Sequence, residues 1–256
     1  MNVLEICGSP RNNGNTEYIM NLCEHEINKV CKPSDRVVYD KITIYHSNLA
    51  WCKGCRICFD VSEHKCPCND DLLMIKNKME EADIIIIGSP VYVEDISGGI
   101  KNWMDRMAFN CHRPFLNGKP VYIYTTSAAA ASNHAIKSMK RAVISWGGNV
   151  KDHDNYIMGQ KMNKEVAERT YGNIIEKKMH KMIEAYELKS VSLYSLISFN
   201  IQKRYWKKKQ HTTDYNYWLS MNWFELDCIY YKPVKVTFLK NKLAILISKL
   251  IVTFFM

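Results

Sequence analysis

The chain has 256 residues, 47% hydrophobic and 24% charged, enough for one large domain or a domain with an extension; disorder as the dominant state is excluded. Net charge is +9, and from residue 200 onward ten Lys and Arg stand against three Asp and Glu, so the excess sits in the last quarter. Such a tail suits an anionic partner or a solvated face, and no nucleic-acid motif accompanies it.

Val3-Leu4-Glu5-Ile6-Cys7 reads as a buried strand with no basic leader before it. That predicts a cytoplasmic protein and places its ten cysteines in a reducing compartment. Gly8-Ser9-Pro10 ends the strand, and a helical pattern follows over Thr16–Val30. Val37–Tyr45 is β-branched and apolar, as a second strand requires. After a cysteine-rich loop, Asp70-Asp71 opens a helix to Ala82, with its acids at the end the dipole favours. Four consecutive isoleucines in Asp83–Gly88 fit a central parallel strand covered on both faces. A loop at Ser89–Ser97, a helix over Gly99–Phe109, a strand over Lys119–Thr126, a helix over Ala131–Trp146 and a fifth strand over Asn149–Met158 complete the pattern. Strand–helix alternation with right-handed crossovers predicts a three-layer α/β sandwich on a five-stranded parallel sheet, filling residues 1–160.

Residues 161–256 are expected to be a helical, aromatic-rich extension packing on the core or a partner subunit. A helix over Asn163–Leu188 leads into an aromatic, basic segment from Tyr194 to Tyr231, placed near the entrance of the site. The terminal helix, Val236–Met256, carries Lys240, Lys242 and Lys249 among apolar residues. Its apolar runs are too short for a membrane span, and packing is expected over membrane association.

Ligands of such sheets sit beyond the C-terminal strand ends, here Gly8–Thr16, Gly88–Ser97 and Thr125–Ala131. In the first, hydroxyls, amides, Gly14 and a following helix N-terminus have the makings of a phosphate cradle, with Arg11 as a charge-assisted donor. Pro90-Val91-Tyr92 offers a rigid, partly apolar wall for a flat ring.

Together, Gly8-Ser9-Pro10-Arg11, Gly14-Asn15-Thr16, Gly88-Ser89-Pro90-Val91-Tyr92 and Lys101 with Asp105-Arg106 resemble the NADPH-dependent FMN reductase family and its iron–sulfur flavoprotein branch. The resemblance covers roughly residues 1–160. It implies a flavodoxin-like fold, FMN as prosthetic group and a homodimer or homotetramer. It also implies that Ser9, Arg11, Asn13, Asn15 and Thr16 bind the FMN phosphate. Pro90, Val91, Tyr92 and Val93 would run along the isoalloxazine, and Thr125, Thr126 and Ser127 would contact flavin or ribityl chain. Ala128–Ala131 departs from relatives, which often carry more Gly there.

Cys52, Cys55 and Cys58 are followed by Cys66 and Cys68, and thiolates at this spacing can converge on one inorganic cluster. By the resemblance, Cys52, Cys55, Cys58 and Cys66 would hold [4Fe–4S], with Cys68 the alternative fourth ligand. Zinc and free thiols are the rival readings. If FMN is bound, the cofactor carries the redox chemistry and no catalytic acid or nucleophile is required; His112 and His134 receive no role. The expected function is an NAD(P)H-dependent FMN oxidoreductase serving a small-molecule or protein electron acceptor. An iron–sulfur flavoprotein electron carrier and a flavin-binding redox sensor or interaction protein are the alternatives.

Overall fold

The computed structural model describes residues 1–32 and 36–255. In chain order the elements are β1 (Asn2–Cys7), α1 (Asn15–Val30), β2 (Val38–Thr43), the short α2 (Ile57–Asp60), α3 (Leu72–Glu81), β3 (Ile84–Tyr92), β4 (Asp95–Ile96) and α4 (Gly98–Arg106). They continue with β5 (Pro120–Ser127), α5 (Asn133–Ser145), β6 (Asn149–Ile157), α6 (Lys164–Glu187), α7 (Leu193–Lys207), α8 (Thr213–Ser220) and α9 (Phe238–Phe255). The terminal helix is thus described as far as Phe255, and the expected Met256 lies outside the described residues.

Five strands pair in parallel in the order β2-β1-β3-β5-β6, and the two-residue β4 pairs antiparallel with the end of β3. The five expected parallel strands are present; β4 is the addition. With β4 set aside, the order is that of flavodoxin-like sheets, with the direction of winding reversing between β1 and β3. A crevice therefore opens beyond the C-terminal ends of those two strands.

Period-two alternation feeds both faces of the sheet from one run of residues. Leu4, Ile6, Ile85, Ile87, Val121 and Ile123 pack with residues of α3, α4 and α5. Val3, Cys7, Ile84, Ile86, Tyr122 and Tyr124 pack with α1 and α6. Ile84 to Ile87 are all buried to within 1% exposure, so each contributes roughly 1.5–3 kcal/mol of apolar burial. At the end of that run the chain requires glycine. A Cβ on Gly88 would lie 2.3 Å from the Tyr124 ring, whose hydroxyl donates to the Thr16 carbonyl at 2.7 Å. Gly88 thus admits the tyrosine that fastens the start of α1 to β5.

Helices α7 to α9 gather Leu196, Phe199, Trp206, Trp218, Trp223, Tyr230 and Tyr231 into a third apolar cluster. It docks on the segment before β5 and the end of α5. Trp218 Nε1–H donates to the His112 carbonyl at 2.8 Å, the Tyr217 hydroxyl to the Pro114 carbonyl at 2.7 Å, and the Gln202 amide to the Ser145 carbonyl at 3.2 Å. These contacts lie at the N-terminal ends of β5 and β6. The expectation that the aromatic segment borders the site entrance is corrected, because the length of β5, roughly 23 Å, separates them. The signal was misread because aromatic density identifies a packed cluster but carries no address.

One buried carboxyl in the sheet has a measurable consequence. Glu5 on β1 is 1% exposed, and its carboxyl is pushed up to about 8 by burial and by Glu24, against Lys41. Its unfolded value is about 4.3, so the stability it contributes is complete below that value and is lost as pH rises towards 8. Glu5→Gln is expected to melt higher than wild type at pH 9, by on the order of 5 °C, and nearly equally at pH 4 to 5. Thermal denaturation across that range, with equal melting of the two proteins at every pH as the contrary result, checks it.

Candidate functional site

The crevice is a cleft of about 760 Å³ lined by Ser9, residues 11–16, Pro90 to Tyr92, Thr126 to Ala128 and residues 159–161. One wall is the β1–α1 turn. Gly14 occupies the N-cap position with extended backbone, and no side chain caps the first N–H groups of α1. Ser9 Oγ accepts from Arg11 N–H at 3.1 Å, and Glu17 accepts from Asn13 N–H at 2.6 Å, which shapes the turn around the opening. Thr16 and Thr126 share a hydroxyl hydrogen bond of 2.7 Å across the floor. Arg11 and Lys161 are exposed at the rim, and among the described residues neither meets a carboxylate. Helix N-terminus, free amides and two uncompensated cations make the cleft an anion site in physical terms.

The opposite wall is the end of β3. Ser97 N–H donates to Ser89 Oγ at 3.0 Å, and Ser97 Oγ–H donates to the Gly8 carbonyl at 2.7 Å, so the β3 and β1 ends are clamped together. β3 and β4 join as a two-residue hairpin at Val93 and Glu94, with φ of +49° and +63°. Both lie in the left-handed region that suits such a turn but is costly for a β-branched side chain. The Ser132 hydroxyl donates to the Glu94 carbonyl and holds the tip.

Of the residues expected from sequence, Ser9, Arg11, Asn13, Asn15, Thr16, Pro90, Val91, Tyr92, Thr126 and Ser127 line this one cleft. Val93 and Thr125 do not. Val93 is 99% exposed at the hairpin tip, whereas Thr125 is buried with its hydroxyl donating to Asn155 at 2.5 Å. Gly159, Gln160 and Lys161 belong to the lining and were not anticipated. The signal was available, since they follow β6 and the strand-end rule applies to it as to the others. Asn15 brings them in: its amide donates to the Gly159 carbonyl at 3.2 Å and accepts from Met162 N–H at 3.2 Å.

The cysteines form a second, smaller cavity of about 80 Å³ lined by Cys52, Cys55, Cys58, Cys66 and Cys68 with Lys53, Arg56, Asp105 and Arg106. None of the five is in a disulfide, and burial, then the neighbouring sulfurs, pushes the Cys58 thiol up. Among the described residues, no three His, Cys, Asp or Glu side chains are grouped so that they could hold a single metal ion. The thiols bound a space instead of meeting at a point, which fits a polynuclear group better than one tetrahedral zinc. Cys66 Sγ accepts from Arg106 Nη2–H at 3.7 Å, whereas the Cys68 thiol donates to the Trp51 carbonyl at 3.9 Å.

This loop is pinned at both ends by one ion pair. Arg106, on the last turn of α4, donates to Asp70 at 2.5 and 3.1 Å and to the Ala50 carbonyl at 2.8 Å. Both charged side chains are almost wholly buried. Burial alone would raise the Asp70 carboxyl, but Arg106 and the N–H groups of Ala50 and Leu72 hold it below the usual carboxylate range. Asp70 thus stands before the start of α3, as expected, and also carries the ion pair with Arg106. A second brace comes from the extension: Arg113 pairs with Glu63 at 2.9 Å and Asp214 at 3.1 Å, and His112 Nδ1 lies 2.9 Å from Asp214. His112, given no role from sequence, packs between Phe59 and Trp206.

A family model described as NADPH-dependent FMN reductase matches residues 1–162. An iron–sulfur flavoprotein of Archaeoglobus fulgidus is 28% identical over 150 residues, covering 57% of this chain and 64% of that protein. Another, of Methanocaldococcus jannaschii, is 39% identical over 106 residues, covering 41% of this chain and 51% of that protein. The matches thus span about half to two thirds of these relatives' own length. Among solved structures, an NADH:FMN oxidoreductase in its apo form superposes with a TM-score of 0.51 at 17% identity, covering 72% of this chain and 89% of that one. RosB with a bound intermediate gives a TM-score of 0.56 at 10% identity, covering 93% and 92%. At such identities these likenesses carry the fold alone.

Asp70→Asn leaves Arg106 buried without its counter-charge and is expected to cost roughly 3 kcal/mol. Because the folded Asp70 carboxyl lies below its unfolded value, its contribution is present above about pH 4 and is lost as pH falls through the folded value. Denaturant unfolding at pH 7 should show the full loss in Asp70→Asn, and the gap from wild type should narrow below pH 4. A constant gap at all pH values contradicts this account.

Proposed function

The chain belongs to the NADPH-dependent FMN reductase family, and from that premise we propose that this flavin oxidoreductase moves electrons from NADH or NADPH, through FMN seated in the Ser9–Thr16 cleft, to a small-molecule or protein acceptor. The observation that carries the reading is the anion site at the β1/β3 crevice: an uncapped helix N-terminus with Arg11 and Lys161 unpaired at its rim. A phosphate monoester satisfies those N–H groups and both cations at once. Ser9, Arg11, Asn13, Asn15 and Thr16 then hold the phosphate, while Pro90, Val91 and Tyr92 form a wall for the ring. Thr126 and Ser127 face the ribityl chain, and Thr125 acts from behind by fixing the strand end through Asn155. Bound FMN supplies hydride acceptance and release of one or two electrons; the chain's residues bind, orient and shield it.

The cysteine cavity favours a second component of the same reading. Cys52, Cys55, Cys58 and Cys66 are proposed to hold a [4Fe–4S] cluster. Cys66 is preferred to Cys68 because it alone of the two receives a guanidinium N–H. The two sites lie at opposite ends of α4, about 12 Å of helix axis apart. In this scheme residues 1–160 are the FMN-binding unit and residues 161–256 the accessory extension, in a cytoplasmic homodimer or homotetramer.

Arg11→Ala is expected to raise the Kd for FMN about tenfold or more while leaving the melting temperature of the apoprotein unchanged. Isothermal titration of apoprotein with FMN measures it, and unchanged affinity removes Arg11 from the phosphate site. Spectra taken without air decide the rest. Bleaching of the flavin bands by NADH or NADPH supports the oxidoreductase reading, and broad cluster absorbance lost in Cys52→Ser but retained in Cys68→Ser supports the assigned ligands. Flavin that neither nicotinamide reduces would sink the proposed donor.

A further inference from the structure

Helix α9 buries an alanine, a serine and a valine and leaves its leucines exposed. Ala244, Ser248 and Val252 are buried, and Arg204 Nε–H donates to Ser248 Oγ at 3.4 Å. Leu239, Leu243, Leu246, Leu250 and Phe254 are 78%, 42%, 56%, 50% and 74% exposed. Their spacing places all five on one stripe about 80° wide, opposite the buried side. Lys242 and Lys249 border the stripe along one side, and from Cys228 to Met256 the sequence holds five lysines and no acidic residue. A helix that merely covered the body of the protein would bury its leucines and expose its alanine and serine.

We propose that α9 docks this protein on an anionic lipid surface, lying in the plane of the interface with the leucine stripe in the acyl boundary and the lysines among the headgroups. The combination of a continuous apolar face, a lysine border and complete absence of carboxylates matches what such a surface offers. Among the described residues no helix is long and apolar enough to cross a membrane. A second copy of α9 is the other physical candidate, since Leu239, Leu243, Leu246 and Leu250 follow the four-three-four spacing of a coiled-coil seam. An antiparallel pair brings the two lysine flanks together, and a parallel pair sets Lys242 and Lys249 against apolar Ile247 and Phe254, with no acid on either helix to offset them, whereas anionic headgroups neutralise both lysines. Charge complementarity therefore selects lipid. The extension also sits at the N-terminal end of β5 and β6, so docking through α9 leaves the cleft beyond the opposite strand ends open.

The test is cosedimentation of the full-length protein with vesicles of phosphatidylcholine alone or mixed with phosphatidylglycerol, alongside light scattering in lipid-free buffer. Binding to the mixed vesicles at least about tenfold tighter than to phosphatidylcholine, and weakened by salt, is expected. Leu246→Glu with Leu250→Glu should abolish it, and Lys242→Ser with Lys249→Ser should weaken it about tenfold. Both double variants change exposed positions, so unchanged circular dichroism serves as the folding control. Three results overturn the proposal: no vesicle binding by wild type, binding unaffected by the leucine variant, or a lipid-free dimer that the leucine variant converts to monomer.

Discussion

The Arg106–Asp70 pair is the contact on which the two chemical regions of this molecule depend. A bidentate guanidinium–carboxylate bond in a dry setting is favourable only when the remaining polar valences are filled, and here they are. Arg106 also takes the Ala50 carbonyl, and Asp70 accepts from the Ala50 and Leu72 N–H groups. Ala50 and the Asp70–Leu72 turn, some twenty residues apart in sequence, are thereby both tied to the end of α4. Everything between Ala50 and Asp70, the whole cysteine loop, is hung from that knot. The other end of the same helix begins at Ser97, whose hydroxyl caps it and also bonds to the end of β1. One short helix thus sets the spacing of cysteine cavity and cleft.

Much of this was legible in the chain. Four isoleucines in a row between polar punctuation read as a doubly covered strand because only a central parallel strand buries both of its faces. The β1–α1 turn was readable because its donors follow a strand and precede a helix, a context that assigns them a role. Two kinds of feature were hidden. The hairpin at Val93 and Glu94 carries none of the Asn or Gly that usually announces a turn with positive φ. Asp214 acts through His112 and Arg113, partners distant in sequence, and neither residue type nor spacing marks it. Thr125 and Thr126 show the limit most plainly: adjacent in a strand, they point to opposite sides, so that Thr126 lines the cleft while Thr125 bonds to Asn155.

The extension changes what the cysteine loop can do. Arg113, His112 and Asp214 brace the loop from below, with Thr213 donating to the Asp60 carbonyl at 3.5 Å. A loop of small helices and turns would otherwise be among the least stable parts of the molecule. The aromatic cluster behind the brace supplies rigidity through packing: Trp218 is fully buried and contacts Phe199, Trp223 and Tyr231 ring to ring.

The bonds of Asn15 have a consequence for biosynthesis. Its partners, Gly159 and Met162, lie 144 and 147 residues away along the chain, so the cleft closes only when both ends of the sandwich have emerged and met. Contacts of such span form late, because the loop between them must be ordered first. A nascent chain therefore carries the whole β1–α1 turn for most of its synthesis before the cleft around it exists. The cleft is completed by the last strand and the turn after it, and the same asparagine that lines it joins the two ends of the sandwich.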